Sequence, residues 1–342
     1  MDTQVRFGII GCGRISWNHL DAIKNAEHAK LVAVCDIDAA KAEKAAHENG
    51  LDKYYTDIDD MLEHEELDVV CILTPSGMHS EHAIKVAEHK VNVLCEKPLC
   101  TTREKMEKMI EACHANGVKL GCIFQRRTFS ATIATKKAVE EGRLGKITLA
   151  SAELKYYRDQ AYYDSGDWRG TWEMDGGGAL MNQGVHGVDM IDYMMGGIES
   201  VYAKCDRKVW RTEVEDTAAA LLQFKNGAMG VLQGATTVYP GLDTIFHIDG
   251  SEGTLSFGDK GFYRWQMKDP TFTKPETFGS LGGLNCQYNA NNIGHTVQVE
   301  DMAMAVLEDR DPMVTGEEGM HSVGIILSIY ESARTGKEVL VK

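Results

Sequence analysis

"VRFGIIGCGRIS", residues 5–16, carries an apolar run of strand length that stops at Gly11-x-Gly13-x-x-Ser16 and passes straight into a helical pattern. Glycines at such a turn let backbone N–H groups approach a pyrophosphate, which the N-terminus of the following helix attracts electrostatically. The third position is Ser rather than Gly, a small-for-small exchange. Glycine-rich turns also serve packing alone, so the context decides. The turn sits in a strand–turn–helix frame, and Asp36 closes the next apolar run. An acid there accepts hydrogen bonds from ribose 2′- and 3′-hydroxyls and repels a 2′-phosphate. A bound dinucleotide is therefore expected, NAD in preference to NADP.

Outward from that turn, the first third of the chain alternates. "KLVAVCD", "LDVVCILTP", "VNVLCEKP" and "VKLGCIFQ" read as further buried parallel strands. Residues 14–26, 38–49, 80–90 and 102–116 carry amphipathic helical patterns between them, and Asn49-Gly50 and Asn116-Gly117 are helix stops. This repetition specifies an α/β domain with a doubly wound parallel sheet over residues 1–123. From 124 to 342 the pattern changes. Helical stretches over 127–141 and 179–195 are followed by short alternating runs, two of them joined by Lys225-Asn226-Gly227, a strong hairpin signal. This part reads as an α+β domain on a large, mostly antiparallel open sheet. Its final helix, over 318–335, is expected to pack back on the first domain.

Composition bounds the function. A chain of 342 residues can hold two cores, and 43% hydrophobic with 25% charged residues is ordinary for a globular protein. A formal charge of −15 argues against nucleic acid as a partner. No apolar run approaches the roughly 18–20 residues that span a bilayer, so no membrane partner is expected. The N-terminus enters strand-like sequence without a leader pattern. Nine cysteines, mostly inside apolar runs, read as reduced core thiols of a cytoplasmic protein, and no C-x-x-C pair suggests zinc.

"EMDGGGALMNQGVHGVDM", residues 173–190, stands out next. Three glycines enter an apolar helix on which Asn182, His186 and Asp189 share a face by their spacing. Asp189 either orients His186 or braces a neighbouring segment. "CILTPSGMHSEHAIKVAEHKVNVLCEKPL" adds Thr74-Pro75-Ser76, His79 and Glu96-Lys97-Pro98 at a strand end. His79 and His82 have spacing that would suit a metal pair, but a solvated or N-terminal helix face is the simpler reading, with His79 near the cofactor. The turn, the two motifs and the C-terminal "DPMVTGEEGMHSVGIILSIYESARTGK" together closely resemble the Gfo/Idh/MocA oxidoreductases, over essentially the whole chain.

The resemblance implies a Rossmann domain, then a domain whose open sheet builds homodimers or homotetramers. It implies hydride transfer between nicotinamide and a secondary alcohol of a carbohydrate-type substrate. Lys97 matches the family's active-site lysine and His186 its histidine, while Asn182 stands where many members have Asp. "YYDSGDWRGTWEMD" and "NQGVH" look most like the branch that oxidises sugar-nucleotide uronates and related hexose derivatives at C3. Inositol dehydrogenation, NAD-recycling glycoside cleavage and non-catalytic dinucleotide sensing are the alternatives. The cofactor set expected is Gly11, Gly13, Arg14, Ile15, Asp36, Thr74, Pro75, Ser76, His79, Glu96, Lys97, Trp168 and Arg169; no metal is required.

Oxidising an alcohol also sends a proton to a base with a pKa not far from neutral. His186 starts near that value, so it is assigned as proton acceptor and Lys97 as polariser of the alkoxide, with the reverse assignment as alternative. Asn182 brings no charge to His186, so either His186 is the less basic catalyst here or Asp189 supplies the missing charge. The substrate set expected is Lys97, Gln125, Arg127, Tyr157, Arg158, Asn182, His186 and His295. Arginines suit carboxylate or phosphate, and the six aromatics from Tyr156 to Trp172 suit sugar faces, or else a domain-interface core. Residues 278–295, rich in amides, read as a loop that hydrogen-bonds hydroxyls.

Overall fold

The structure is a computed structural model that describes residues 4–258, 260–277 and 290–342. In chain order it begins with β1 (Val5–Ile10), α1 (Ser16–Asn25), β2 (Ala29–Cys35), α2 (Ala39–Glu48), α3 (Ile58–His64), β3 (Val69–Ile72), α4 (His79–Glu88), β4 (Asn92–Cys95), α5 (Arg103–Asn116) and β5 (Leu120–Cys122). There follow α6 (Ser130–Glu140), β6 (Ile147–Lys155), α7 (Gln160–Tyr163), α8 (Val185–Met195), β7 (Ile198–Asp206), β8 (Thr217–Phe224), β9 (Met229–Ala235), β10 (Ile245–Gly250), β11 (Gly253–Gly258), β12 (Gly261–Met267), α9 (Ala290–Leu307), α10 (Gly316–Thr335) and β13 (Val339–Leu340).

Two units divide the chain: Met1–Gln125 with Gln287–Met320, and Arg126–Cys286 with His321–Lys342. In the first, five parallel strands run in the order β2-β1-β3-β4-β5. Apart from the opening of β2, where Lys30 is exposed, these strands are buried on both faces, which is why their sequences are continuous apolar runs rather than alternating ones. The contiguous split at residue 123 gives way to an interleaved one for a packing reason. α9 sends Val299, Met302 and Ala303 into the same core as Leu20 and Ile23 of α1. The apolar back of α1 would otherwise face water, at a cost of about 25 cal/mol per Å². It is thus α9 that completes the first unit, while α10 contributes only its opening turns. The expected loop over 278–295 is helical from Ala290, and residues 278–289 lie outside those described.

In the second unit eight strands form one sheet, β12-β11-β10-β6-β9-β8-β7-β13, in which only the β6–β9 pair is parallel. β8 and β9 form the hairpin that Asn226-Gly227 signalled, with Gly227 at φ +86° closing the turn. One face of the sheet carries α8, brought close by glycine: a Cβ on Gly187 would stand 2.2 Å from Leu154. The helix expected over 179–195 begins instead as a π-helical turn, Ala179–Gly184, that leads into α8. Such turns widen the backbone and recur at functional sites. Among the described residues no helix is long and apolar enough to cross a membrane. The described cysteines are free thiols, all buried but the partly buried Cys205.

Candidate active site

The nucleotide turn has the backbone its glycines foretell. Gly11, at φ +101°, passes so close to β3 that a Cβ would lie 2.9 Å from the carbonyl carbon of Leu73. At Gly13 a Cβ would meet nothing within 4 Å, so that glycine leaves open space beside the start of α1. Ser16 Oγ folds back on the Gly13 carbonyl at 2.6 Å, replacing the usual third glycine with a hydrogen bond that pins the turn. Asp36 Oδ2 accepts Cys12 N at 2.7 Å and Oδ1 accepts Asp38 N at 2.9 Å. These bonds aim a half-buried carboxylate at the turn, each oxygen keeping a lone pair for a ribose hydroxyl. Arg14 is exposed and Ile15 half-buried at the helix start. The cradle fits a dinucleotide.

Around it, several expected contacts have protein partners. His79 is buried, its Nε2 2.8 Å from Thr74 O and its Nδ1 3.0 Å from Pro98 O. It clamps the Thr74-Pro75-Ser76 segment to the Glu-Lys-Pro segment, which corrects the reading of a solvated or cofactor-facing ring. Burial pushes its pKa down. His82 is also buried, with Nδ1 3.0 Å from Thr74 Oγ1. Lys97 is half-buried immediately after β4. Glu96, expected at the cofactor, points into the core: its Oε1 lies 2.9 Å from His19 Nε2 and 3.4 Å from His295 Nε2. His295, expected at the substrate, is itself buried on α9. Gln125 packs against Gly294 of the same helix, where a Cβ would stand 2.8 Å from the Gln125 Cβ.

In the second unit the triglycine entry has an unexpected cause. A Cβ on Gly178 would fall 1.7 Å from the Glu215 carbonyl oxygen, and one on Gly177 2.2 Å from Tyr330 Oη. These two glycines thus make room for protein backbone and a tyrosine. Glu215, fully buried, accepts Gly178 N, Leu180 N and Tyr330 Oη, each at 2.9 Å. It caps the helix that delivers His186. Burial pushes its carboxyl up to about 7 against the pull of those donors.

Asn182 Nδ2 donates to the buried Asp175 at 2.5 Å, and Asn182 Oδ1 accepts Gln183 Nε2 at 2.9 Å. Gln183 Oε1 accepts Arg158 Nη2 at 2.6 Å, and Tyr162 Oη receives both Gln183 Nε2 at 3.0 Å and Arg169 Nη1 at 2.7 Å. Arg169 stacks on the rings of Trp168 and Tyr162, at 4.3 and 4.4 Å. Tyr157 meets Trp210 and Tyr239 edge to face. One amide, two arginines and two aromatics of the expected set therefore converge just before His186, which is itself buried.

Two arrangements differ from expectation. Asp189 shares a helical face with His186 by spacing, yet its carboxylate is taken by Arg127 at 2.6 and 3.0 Å and by Ser322 Oγ at 2.7 Å. A bidentate guanidinium is the stronger partner, so the Asp189 carboxylate braces the chain before α6. Arg127 is correspondingly a buried structural cation, 9% exposed, rather than a hand for an anionic substrate. Asp175, Gln183, Glu215 and His19 were not anticipated, whereas Tyr162 belongs to the aromatic group expected at the sugar. Asp175 and Gln183 lie in the quoted glycine-rich stretch, and their polarity amid apolar neighbours was the available signal. Glu215 had none.

Family comparison agrees with this geometry. The model of the oxidoreductase family GFO_IDH_MocA, NAD-binding Rossmann fold, matches residues 5–124, and that of the GFO/IDH/MocA C-terminal domain matches residues 132–256. Among solved structures, the WlbA dehydrogenase from Bordetella pertussis, in complex with NADH and UDP-GlcNAcA, is 34% identical with a TM-score of 0.88, covering 99% of each chain. The WlbA protein from Chromobacterium violaceum, with the same two molecules, is 32% identical with a TM-score of 0.90, covering 100% of this chain and 97% of that one. The myo-inositol 2-dehydrogenase of Thermotoga maritima is 27% identical over 92% of each chain.

Proposed function

The chain belongs to the Gfo/Idh/MocA oxidoreductase family, and on that premise we propose that it is an NAD-dependent dehydrogenase acting on a hexose derivative, a sugar-nucleotide uronate oxidised at C3. The observation that carries the substrate class is the Asp175–Asn182–Gln183 chain with Arg158 and Arg169 on its flank. Amides pair with sugar hydroxyls, and guanidinium groups pair with carboxylate or diphosphate. The two solved relatives that hold UDP-GlcNAcA support the same class.

Gly11, Gly13 and Asp36 would hold the dinucleotide, with Arg14, Ile15, Thr74, Pro75 and Ser76 beside it. When bound, the nicotinamide supplies the hydride acceptor. His186 takes the hydroxyl proton as the bond to hydride breaks. Lys97 donates a hydrogen bond to the oxygen as charge develops, which stabilises the transition state more than the ground state. Asn182 orients a neighbouring hydroxyl, its own amide direction fixed by Asp175.

NADH formation with a panel of UDP-uronates, hexoses, glycosides and inositols tests the reading. Turnover restricted to UDP-linked uronates is expected, and preference for an inositol would sink the substrate class. Glycoside cleavage without accumulation of NADH would replace the net dehydrogenase with an NAD-recycling enzyme. Asp36→Ala is expected to weaken NAD more than NADP in a fluorescence titration; an unchanged ratio would contradict the ribose assignment. Gly13→Ala should leave the melting temperature within a degree or so, because its Cβ meets no protein atom, yet weaken NAD at least about tenfold.

A homodimer or homotetramer through the second sheet belongs to the same proposal. The sheet face opposite α8 aligns Tyr202 with Leu221 and Leu221 with Val231 across neighbouring strands, and Leu149 with Met229 beside them. All five are exposed. Light scattering after gel filtration is expected to give a multiple of the 37.8 kDa chain mass, and Leu221→Lys to lower it.

A further inference from the structure

One buried group has no place in the mechanism above. The Glu96 carboxylate is flanked by His19 on α1 and His295 on α9, with side-chain exposures of 7%, 0% and 2%. Oε1 faces both imidazoles, and Oε2 accepts the backbone N–H of Lys97 at 3.1 Å. We propose that His19, Glu96 and His295 form a positioning clamp that holds the Lys97 peptide in the direction its side chain needs and ties it to the helix that opens at the nucleotide turn. The inference rests on the assignment of Lys97 to the reaction.

A buried ionised carboxylate is stable only if its lone pairs are filled by good donors. His19 on α1 and the Lys97 N–H fill two of these by hydrogen bonds, and His295 on α9 sets its Nε2 3.4 Å from the same Oε1. The imidazoles hold the Glu96 pKa well below the usual carboxylate range although burial pulls it upward, so it stays an acceptor at every working pH. Because His19 sits on the first turns of α1, any roll of that helix moves the carboxylate and hence Lys97. Misplacement of a reacting group by about 1 Å is enough to cost roughly 100-fold in rate. The same three side chains could be read as a cation site, their donor atoms lying within 4.8 Å of one another. The geometry speaks against it. Donors around a tetrahedral ion with bonds of about 2.0–2.1 Å stand about 3.3 Å apart. The 2.9 Å between His19 Nε2 and Glu96 Oε1 is closer, as in a hydrogen bond.

The test compares His19→Leu, which removes the donor, with His19→Gln, whose amide nitrogen reaches near the Nε2 position. His295→Gln and Glu96→Gln serve as milder variants should the leucine not fold. The readouts are kcat, the KM for NAD, and the titration of Lys97 followed by NMR of ¹³Cε-lysine in the cofactor-free protein, assigned with Lys97→Arg. A clamp predicts that His19→Leu lowers kcat about 10- to 100-fold with KM for NAD nearly unchanged, and displaces the Lys97 titration. His19→Gln restores both. In Glu96→Gln the amide oxygen can still face both imidazoles, but the NH2 then stands against the Lys97 N–H and no longer accepts it, so the lysine peptide is released and the variant behaves like His19→Leu. A merely structural role lowers the melting temperature and leaves kcat and the lysine titration of the folded variants where they were, which overturns the proposal. So does a stoichiometric divalent metal that is lost in His19→Leu. If the wild-type enzyme turns over no compound of the panel, the dehydrogenase reading fails, while the lysine titration still decides for or against the clamp.

Discussion

Replacing His186 with alanine is expected to lower kcat by about 10²- to 10⁴-fold, with NAD affinity within a few fold of wild type. His186 lies one helical turn beyond Asn182, and α8 is seated on the sheet through the contact of Gly187 with Leu154. Truncation to alanine removes the imidazole without disturbing that contact. Lys97→Ala is expected to do comparable damage by a different route: it deletes the donor to the developing alkoxide, which is worth several kcal/mol in a site shielded from water. The two differ in how activity responds to pH. Loss of the base removes the acid limb of the kcat profile, whereas loss of the lysine lowers the whole profile. Stopped-flow NADH formation measures the rate, and a folded variant with near-normal kcat would take that residue out of the mechanism.

How much of this could be read from the chain depends on what each residue's signal competed with. Strand runs in the first unit are buried on both faces, so their sequences are unambiguous, and the turn at Gly11 announces itself. α9 hides for the opposite reason. Its Val299, Met302, Ala303 and Ala305 are buried, but so are polar His295 and Gln298, while apolar Val297, Met304 and Val306 lie on the partly exposed side, which blurs the helical period; amide-rich sequence precedes it. α3 is too short for a period to show. At the site, types and spacing placed Asn182 and His186 in one helical segment but could not assign partners. Asp189 looked like a partner for His186 because helical spacing is local. The guanidinium that claims it is 62 residues away in sequence. Glu96 and Glu215 are similar: a carboxylate beside a motif reads as a ligand contact until the buried donors that surround it are known. A carboxylate does stand beside the Asn182 amide all the same: its Nδ2 donates to Asp175 at 2.5 Å, a partner that helical spacing does not reveal.

Gly178→Ala should be among the most damaging single-methyl additions in the protein. Its Cβ would lie 1.7 Å from the Glu215 carbonyl oxygen and 2.8 Å from the carbonyl carbon, and backbone cannot swing aside as a flexible side chain does. Relief requires the π-helical turn or the segment entering β8 to move by more than about 1 Å, since non-bonded carbon and oxygen do not approach closer than roughly 3 Å. That movement breaks a compact set of bonds: Ala179 N to Glu215 O at 3.0 Å, and Gly178 N and Leu180 N to the Glu215 carboxylate. Left unsatisfied while buried, such groups cost about 1–3 kcal/mol each, so a loss of roughly 3–6 kcal/mol is expected. Set against a total stability of about 5–15 kcal/mol, this means a large fall in the urea midpoint and in soluble yield. The same helix start carries Asn182 and then His186, so whatever folds should also show depressed kcat with near-normal binding of NAD, whose cradle is in the other unit. A contrast sharpens the result. Gly13→Ala, at a glycine with no protein atom near its Cβ, should keep stability and lose cofactor affinity, while Gly178→Ala should do the reverse. A Gly178→Ala protein with the wild-type urea midpoint and wild-type kcat would show that the close approach to Glu215 does not shape this site.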